Sequence, residues 1–261
     1  MRITDEAVSF SPSDVANFLA CRHLTRLDLL SARGELRPTF VKDIGFENLI
    51  ERGEAHEKSV LERFRADGRS IAEIPASLGS EAAATATVAA LRSGVDVVYQ
   101  GVLLRPADAS GPAITSRPDF LVRAGVVAYP DGEPASDRDH YEVVHAKLAR
   151  SAKARAVLQT TLYSHLLAAA RTVEPRWMHL ALGNGEFAHF KVKEFAAYER
   201  QTRAMLQEFA AGDAGETPPS APSPEPVEHC ANCRWAPTCS ARRRNDDDLS
   251  LVAGVTSRQR R

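Results

Sequence analysis

Arg117-Pro118-Asp119-Phe120-Leu121-Val122-Arg123 and Tyr141-Glu142-Val143-Val144-His145-Ala146-Lys147-Leu148 are two β-rich runs joined by a polar loop. Runs of this kind predict the two strands of a hairpin. Side chains alternate along a strand, so Val143, His145 and Lys147 share one face and Glu142, Val144 and Ala146 the other. The register sets His145 beside Lys147 and facing Asp119 across the hairpin. An acid, an imidazole and an ammonium gathered off otherwise apolar strands call for a chemical reason. Ser151 then caps a helix from about Ala152 to Arg171, where Gln159 and Tyr163 are four apart and share a face.

Outward from this stretch the chain alternates helical and extended signals. Ser11-Pro12-Ser13-Asp14 opens a helical region that contains Cys21 and ends at Gly34. A second helix runs from about Asp43 to Ala66, with Phe46, Leu49, Ile50, Gly53, Glu57, Val60, Leu61 and Phe64 at helical spacing and His56 on the same stripe. By itself an inward histidine is a core residue bonded to a neighbour. Ser70–Ile74 is a strand, Ser80–Ser93 an Ala-rich helix closed by Gly94, and Val95–Leu104 a strand carrying Gln100. Arg176–Leu182 and Glu186–Val192 form a hairpin about Gly183-Asn184-Gly185. Phe195–Ala211 is helical. Residues 212–229 are a Pro-rich linker, and residues 230–261 hold Cys230-x-x-Cys233-x5-Cys239 and a tail. From Leu249 the tail reads as the start of a further helix, as in a fragment or in a short version that docks on a partner.

Taken in order, Gly53-Glu54-Ala55-His56-Glu57, Arg117-Pro118-Asp119, His145-Ala146-Lys147 and Gln159-x-x-x-Tyr163 resemble the motifs of RecB-like nucleases of the PD-(D/E)XK superfamily. Cys21 with Cys230, Cys233 and Cys239 resembles the iron–sulfur staple of a subset of them. The resemblance implies a restriction-endonuclease-like α/β fold, with a central mixed sheet flanked by helices, an N-terminal helical part and a C-terminal iron–sulfur segment. Residues 1–211 would be the nuclease core. It implies cleavage of DNA, as single strands or at ends, in repair or recombination. It also implies a metal site from His56, Asp119, position 145 and the Ala146 carbonyl, with Lys147 on the attacking water and Gln159 and Tyr163 lining the groove. The family carries Asp or Glu where this chain has His145. An imidazole in place of a carboxylate favours Mn²⁺ over Mg²⁺, and a protonated ring cannot ligate. A metal-shifted nuclease, an inactive homologue and an altered sequence all remain open.

Composition limits the alternatives. With 261 residues, 44% hydrophobic content and a net charge of −1, the chain has the material for a real core but no global basic field. Nucleic-acid binding must be a local patch. Arg150, Lys153 and Arg155 near Lys147, together with Gln100, are the candidates, and they point to sequence-independent phosphate contact. No apolar run is long enough to span a membrane and no signal peptide opens the sequence, which fits a cytoplasmic protein. Cysteines in that compartment indicate metal before disulfides. A zinc site with His229 competes with the [4Fe–4S] cluster, which accounts for all four cysteines. A non-catalytic iron–sulfur DNA-binding scaffold serving a helicase is the alternative to the nuclease. A zinc-bound interaction module is the third reading.

Overall fold

The computed structural model describes all residues except 5, 6, 39–43, 110, 131, 133–139, 172, 213–223 and 261. Two short strands, β1 (Arg2–Thr4) and β2 (Ala7–Ser9), pair before the first helix. Helix α1 (Pro12–Ala20) starts as its sequence dictates: Pro12 sits in the first turn, and the Asp14 carboxylate accepts from the Ser11 amide and hydroxyl. The expected single helical region is broken at Cys21, whose extended backbone (φ −164°, ψ 112°) separates α1 from α2 (Arg22–Ala32). The break lets the Cys21 sulfur accept from the Leu24 N–H at 3.4 Å and cap α2. Then come α3 (Ile44–Ala66), β3 (Ile71–Glu73), α4 (Ser80–Ser93), β4 (Val97–Tyr99), β5 (Leu103–Arg105), β6 (Ile114–Ser116), β7 (Phe120–Arg123), β8 (Tyr141–Lys147), α5 (Ala154–Arg171), β9 (Trp177–Leu182), β10 (Phe187–Lys191), α6 (Val192–Gly212) and α7 (Ala236–Asn245).

Six strands form one mixed sheet in the order β10-β9-β8-β7-β4-β3, with β8–β9 and β3–β4 parallel and the other pairs antiparallel. The fold is mixed α/β, with helices packed on the sheet. The register pairs Phe120 with Val144 and Leu121 with Val143, so position 119 comes opposite 145 as the hairpin reading requires. β8 is buried from Tyr141 to His145, as a central strand covered on both faces must be. Leu121 and Val143 join a core with Leu158, Leu162 and Tyr163 of α5. Phe120 and Val144 join a second core with Val60, Leu61 and Phe64 of α3. The two helices thus close on the sheet from opposite sides.

Five readings need correction. α5 begins at Ala154 with its first amides on the Lys153 carbonyl, so Ser151 does not cap it. Val95–Leu104 is two strands, β4 and β5, because Gln100 adopts φ +55° and turns the chain between them. Asp119 lies in the bend before β7, one residue short of the strand. The apolar stripe of the second helix is half right: Val60, Leu61 and Phe64 are buried, but Leu49 and Ile50 are exposed, since the sheet lies only under the C-terminal half. The tail is a short 3₁₀ turn at Leu249–Leu251 with exposed Leu249, Leu251 and Val252, not a further helix. The glycine turn after β9 is as read. A Cβ on Gly183 would stand 2.1 Å from the Leu148 carbonyl oxygen, so no side chain fits where this turn presses on the end of β8.

Candidate active site and cysteine cluster

Where β7 begins and β8 ends, the strands deliver three chemical groups to one point. Asp119 Oδ2 lies 2.5 Å from His145 Nδ1 and accepts from the Ala146 N–H at 2.7 Å. Both bonds fall on Oδ2, so among the described residues Oδ1 is uncommitted. Burial works against the Asp119 charge, but His145, the Ala146 N–H and Lys147 outweigh it, and its carboxyl is held below the ordinary range. With Nδ1–H donated to the carboxylate, the lone pair of the His145 ring is left on Nε2. That atom is buried and has no hydrogen-bond partner. Tyr163 packs edge-on against the ring, with centroids 5.3 Å apart. Burial and Arg155 push the Lys147 ammonium below its ordinary range, while Asp119 and Glu57 oppose them.

α5 supplies the wall behind this centre. The Gln159 amide donates to the Tyr163 hydroxyl at 3.0 Å and to Ser13 Oγ at 3.1 Å, which locks both side chains and ties α5 to α1. On one side of that pair is a cavity lined by Lys147, Lys153, Arg155 and Gln159; Arg150 is exposed and does not line it. On the other side is a larger cavity that Tyr163 lines.

α3 presents two neighbouring residues differently. His56 is half-buried, and its Nε2 bonds the Ala181 carbonyl of β9 at 3.0 Å. Glu57 is the residue electrically coupled to the centre. Burial and then Asp119 raise its carboxyl above the ordinary range, and Tyr99, Gln100 and His145 act the other way. The Gln100 side chain donates to the Glu57 carboxylate. The Gln100 backbone is clamped by its N–H on the Asp119 carbonyl (2.8 Å) and by Arg117 Nη1 on its own carbonyl (2.9 Å). Those bonds hold a non-glycine residue at positive φ, a conformation that costs energy and clusters at functional sites. Glu57 stood on the helical stripe and inside the motif, but the resemblance assigned the metal to His56 and left Glu57 without a role.

No three His, Cys, Asp or Glu side chains among the described residues stand close enough to hold one ion. The donor set does fit a divalent cation in part. Asp119 Oδ1 offers hard oxygen and the buried, partnerless His145 Nε2 offers a nitrogen; because Asp119 sits on the opposite edge of the ring, at Nδ1, the two meet one ion only when that bond gives way.

The fold brings the four cysteines together. Cys21, Cys230, Cys233 and Cys239 line one cavity with Leu24, His229 and Trp235, and none is in a disulfide. Three of the sulfurs accept backbone N–H groups: Cys21 from Leu24, Cys230 from Val227 at 3.3 Å and Cys233 from Trp235 at 3.4 Å. Burial, then the neighbouring sulfurs, push Cys239 up to about 11; burial also raises Cys233. Three of the four sulfurs thus carry amide donors of the kind that tune iron–sulfur clusters, though no three of the four lie close enough here to share one ion. His229 Nδ1 accepts from Arg155 Nη1 at 2.9 Å, which ties this pocket to the basic cavity. Trp235 is fully buried against Leu24 and Leu27, and its Nε1–H donates to Asp28 Oδ1 at 2.6 Å alongside Arg234. Sequence reasoning did not single out Asp28, Arg234 or Trp235.

No helix among the described residues is long and apolar enough to cross a membrane. No family model matches the chain, and no curated protein does. Among solved structures, the crystal structure of SSO0001 aligns over 92% of this chain and 89% of that chain, at 12% identity and a TM-score of 0.43, which is too distant to bear on fold or function.

Proposed function

We propose that the chain is a metal-dependent nuclease of the RecB-like, PD-(D/E)XK type, acting on single-stranded DNA or DNA ends. The observation that supports this most is the Asp119–His145–Lys147 centre, with a buried and partnerless imidazole nitrogen. Asp119, released from its bond to His145, would hold a divalent cation, Mn²⁺ or Mg²⁺, with the turned His145 ring; the cation supplies Lewis acidity and a more acidic bound water. The chain's own groups do the rest. Lys147, held below its ordinary range, donates to the incoming water or to a phosphate oxygen. Tyr163 and Gln159 exclude solvent behind the scissile position, and Lys153 and Arg155 hold flanking phosphates. The four cysteines would carry a [4Fe–4S] cluster that ties α2 to the C-terminal segment, a structural role.

The test is cleavage of labelled single- and double-stranded DNA with Mg²⁺ and with Mn²⁺. Metal-dependent cleavage that Asp119→Ala and Lys147→Ala abolish supports the reading. Tight DNA binding without cleavage under any divalent metal refutes it. That result would favour the second reading, a non-catalytic scaffold for a helicase partner. One observation favours the scaffold: His56, which the resemblance assigns to the metal, is bonded to the Ala181 carbonyl.

A further inference from the structure

We infer that the cavity on the far side of Tyr163 is a second phosphate-binding subsite, where a single-stranded nucleic acid continues past the centre. The inference rests on the nuclease reading and adds to it the course of the strand. The cavity has a volume of about 680 Å³, within the range of sites built for ligands of a few hundred daltons. Its lining has the chemistry that grips a phosphate backbone. Arg2 and Arg117 supply positive charge, and Ser13 and Ser80 are among the hydroxyls that supply donors. Arg117 donates one bond from Nη1 to the Gln100 carbonyl, which anchors the guanidinium at the rim next to Asp119.

The one carboxylate in the lining does not cancel this charge. Asp14 is only 5% exposed and is spent on the Met1 amine at 2.8 Å and on the Ser11 amide and hydroxyl. The start of α4 adds amide donors there, because its cap is Gly79, which offers no side-chain acceptor. Continuity with the centre is direct. Tyr163 lines this cavity and packs on His145, while its partner Gln159 lines the Lys153–Arg155 cavity and also binds Ser13 of this one. A strand held on both sides of the Gln159–Tyr163 pair crosses the centre between them.

The experiment titrates a fluorescent oligothymidylate of about 15 nucleotides with the full chain in chelator, so that no cleavage occurs, over a range of salt. The variant is Arg2→Glu with Ser80→Asp. Both positions are exposed and neither belongs to the centre. The variant should bind at least tenfold more weakly. Its log–log salt slope should be shallower by about 0.7 for every phosphate that the variant no longer neutralises. Crosslinking of a thiothymidine strand to the native chain should label residues 9–13 or 78–80. If the variant keeps native affinity and slope and the crosslinks fall elsewhere, while Lys153→Glu weakens binding, the subsite is refuted and the nuclease reading stands. If the native chain neither binds nor cleaves the strand, both fall.

Discussion

His145 is defined by what each end of its ring meets. Nδ1 is committed to Asp119, and Nε2 is buried without a partner. The notion of a lost ligand can therefore be tested in two ways. His145→Asp sets a second carboxylate against Asp119, and without a cation the pair repel. Melting in chelator should fall by an amount equivalent to about 1–3 kcal/mol and recover when Mg²⁺ is added. Mg²⁺-dependent cleavage should rise in the same variant, whereas the native chain should prefer Mn²⁺. A variant no less stable in chelator and no better with Mg²⁺ would show that position 145 does not face the metal. The α3 pair gives a second prediction. His56→Gln retains a donor for the Ala181 carbonyl and should leave cleavage within about threefold of native. Glu57→Gln removes a carboxylate coupled to Asp119 and should lower it at least tenfold, roughly 1.4 kcal/mol of barrier. The reverse outcome would show that α3 turns His56 toward the metal in the working enzyme. Which of two adjacent helix residues meets a site is a question of about 100° of rotation, and the exposed first half of α3 shows how loosely the apolar stripe fixes it.

The β8 strand was legible because period two leaves little freedom. Once one face is buried, a slip of one residue would turn His145 and Lys147 away from α5. Asp119 then follows from the hairpin register. What alternation could not disclose is the other face. There Glu142 is fully buried and accepts from Tyr129 Oη at 3.0 Å, His179 Nε2 at 3.1 Å and the Trp177 amide at 3.3 Å. His179 Nδ1 stands 2.9 Å from His189 Nδ1, so with Nε2–H on Glu142 it accepts a hydrogen bond from the His189 Nδ1–H. Burial opposes the Glu142 charge, yet the bonds from His140, His179 and Tyr129 hold its carboxyl below the ordinary range. A depressed carboxyl adds stability that is fully present above its unfolded value and is lost as pH falls through the folded one. The native chain should therefore lose stability as pH drops below about 4.5, the ordinary value for Glu. In Glu142→Gln that share of the loss should be absent, with the fold already weaker at pH 7 by about 1–3 kcal/mol. Denaturant midpoints from pH 7 to 3 check this. Parallel curves for the two proteins would mean that Glu142 is not charged in the fold.

Across the whole chain, the ends were the least legible region. The resemblance to the iron–sulfur staple implied that Cys21 and the C-terminal cysteines meet, but the protein surface that docks them lay outside any local pattern. Asp28 and Trp235 are far apart in sequence, and no periodicity links them. Their contact is nonetheless specific: a fully buried indole, with its N–H and the Arg234 guanidinium on one carboxylate oxygen. A small apolar core and the Asp28 bonds hold this segment, and a cluster on the cysteines would be a second, separable force. Trp235→Phe keeps most of the apolar contact and removes one donor from Asp28, which Arg234 still satisfies; it should cost about 1–2 kcal/mol and leave iron content unchanged. Cys233→Ser leaves Trp235 in place but removes a thiolate, so iron should fall from about four per chain while the far-ultraviolet spectrum stays native. Because Arg155 contacts His229 beside Cys230, the same serine variant should also weaken single-strand binding through the basic cavity, by about twofold to fivefold. Iron and labile sulfide assays on anaerobically purified protein, run beside the binding titration, decide the matter. One zinc per chain with no iron would remove the cluster. Full iron in Cys233→Ser would show that the buried sulfur is not a ligand and that Trp235 alone docks the segment.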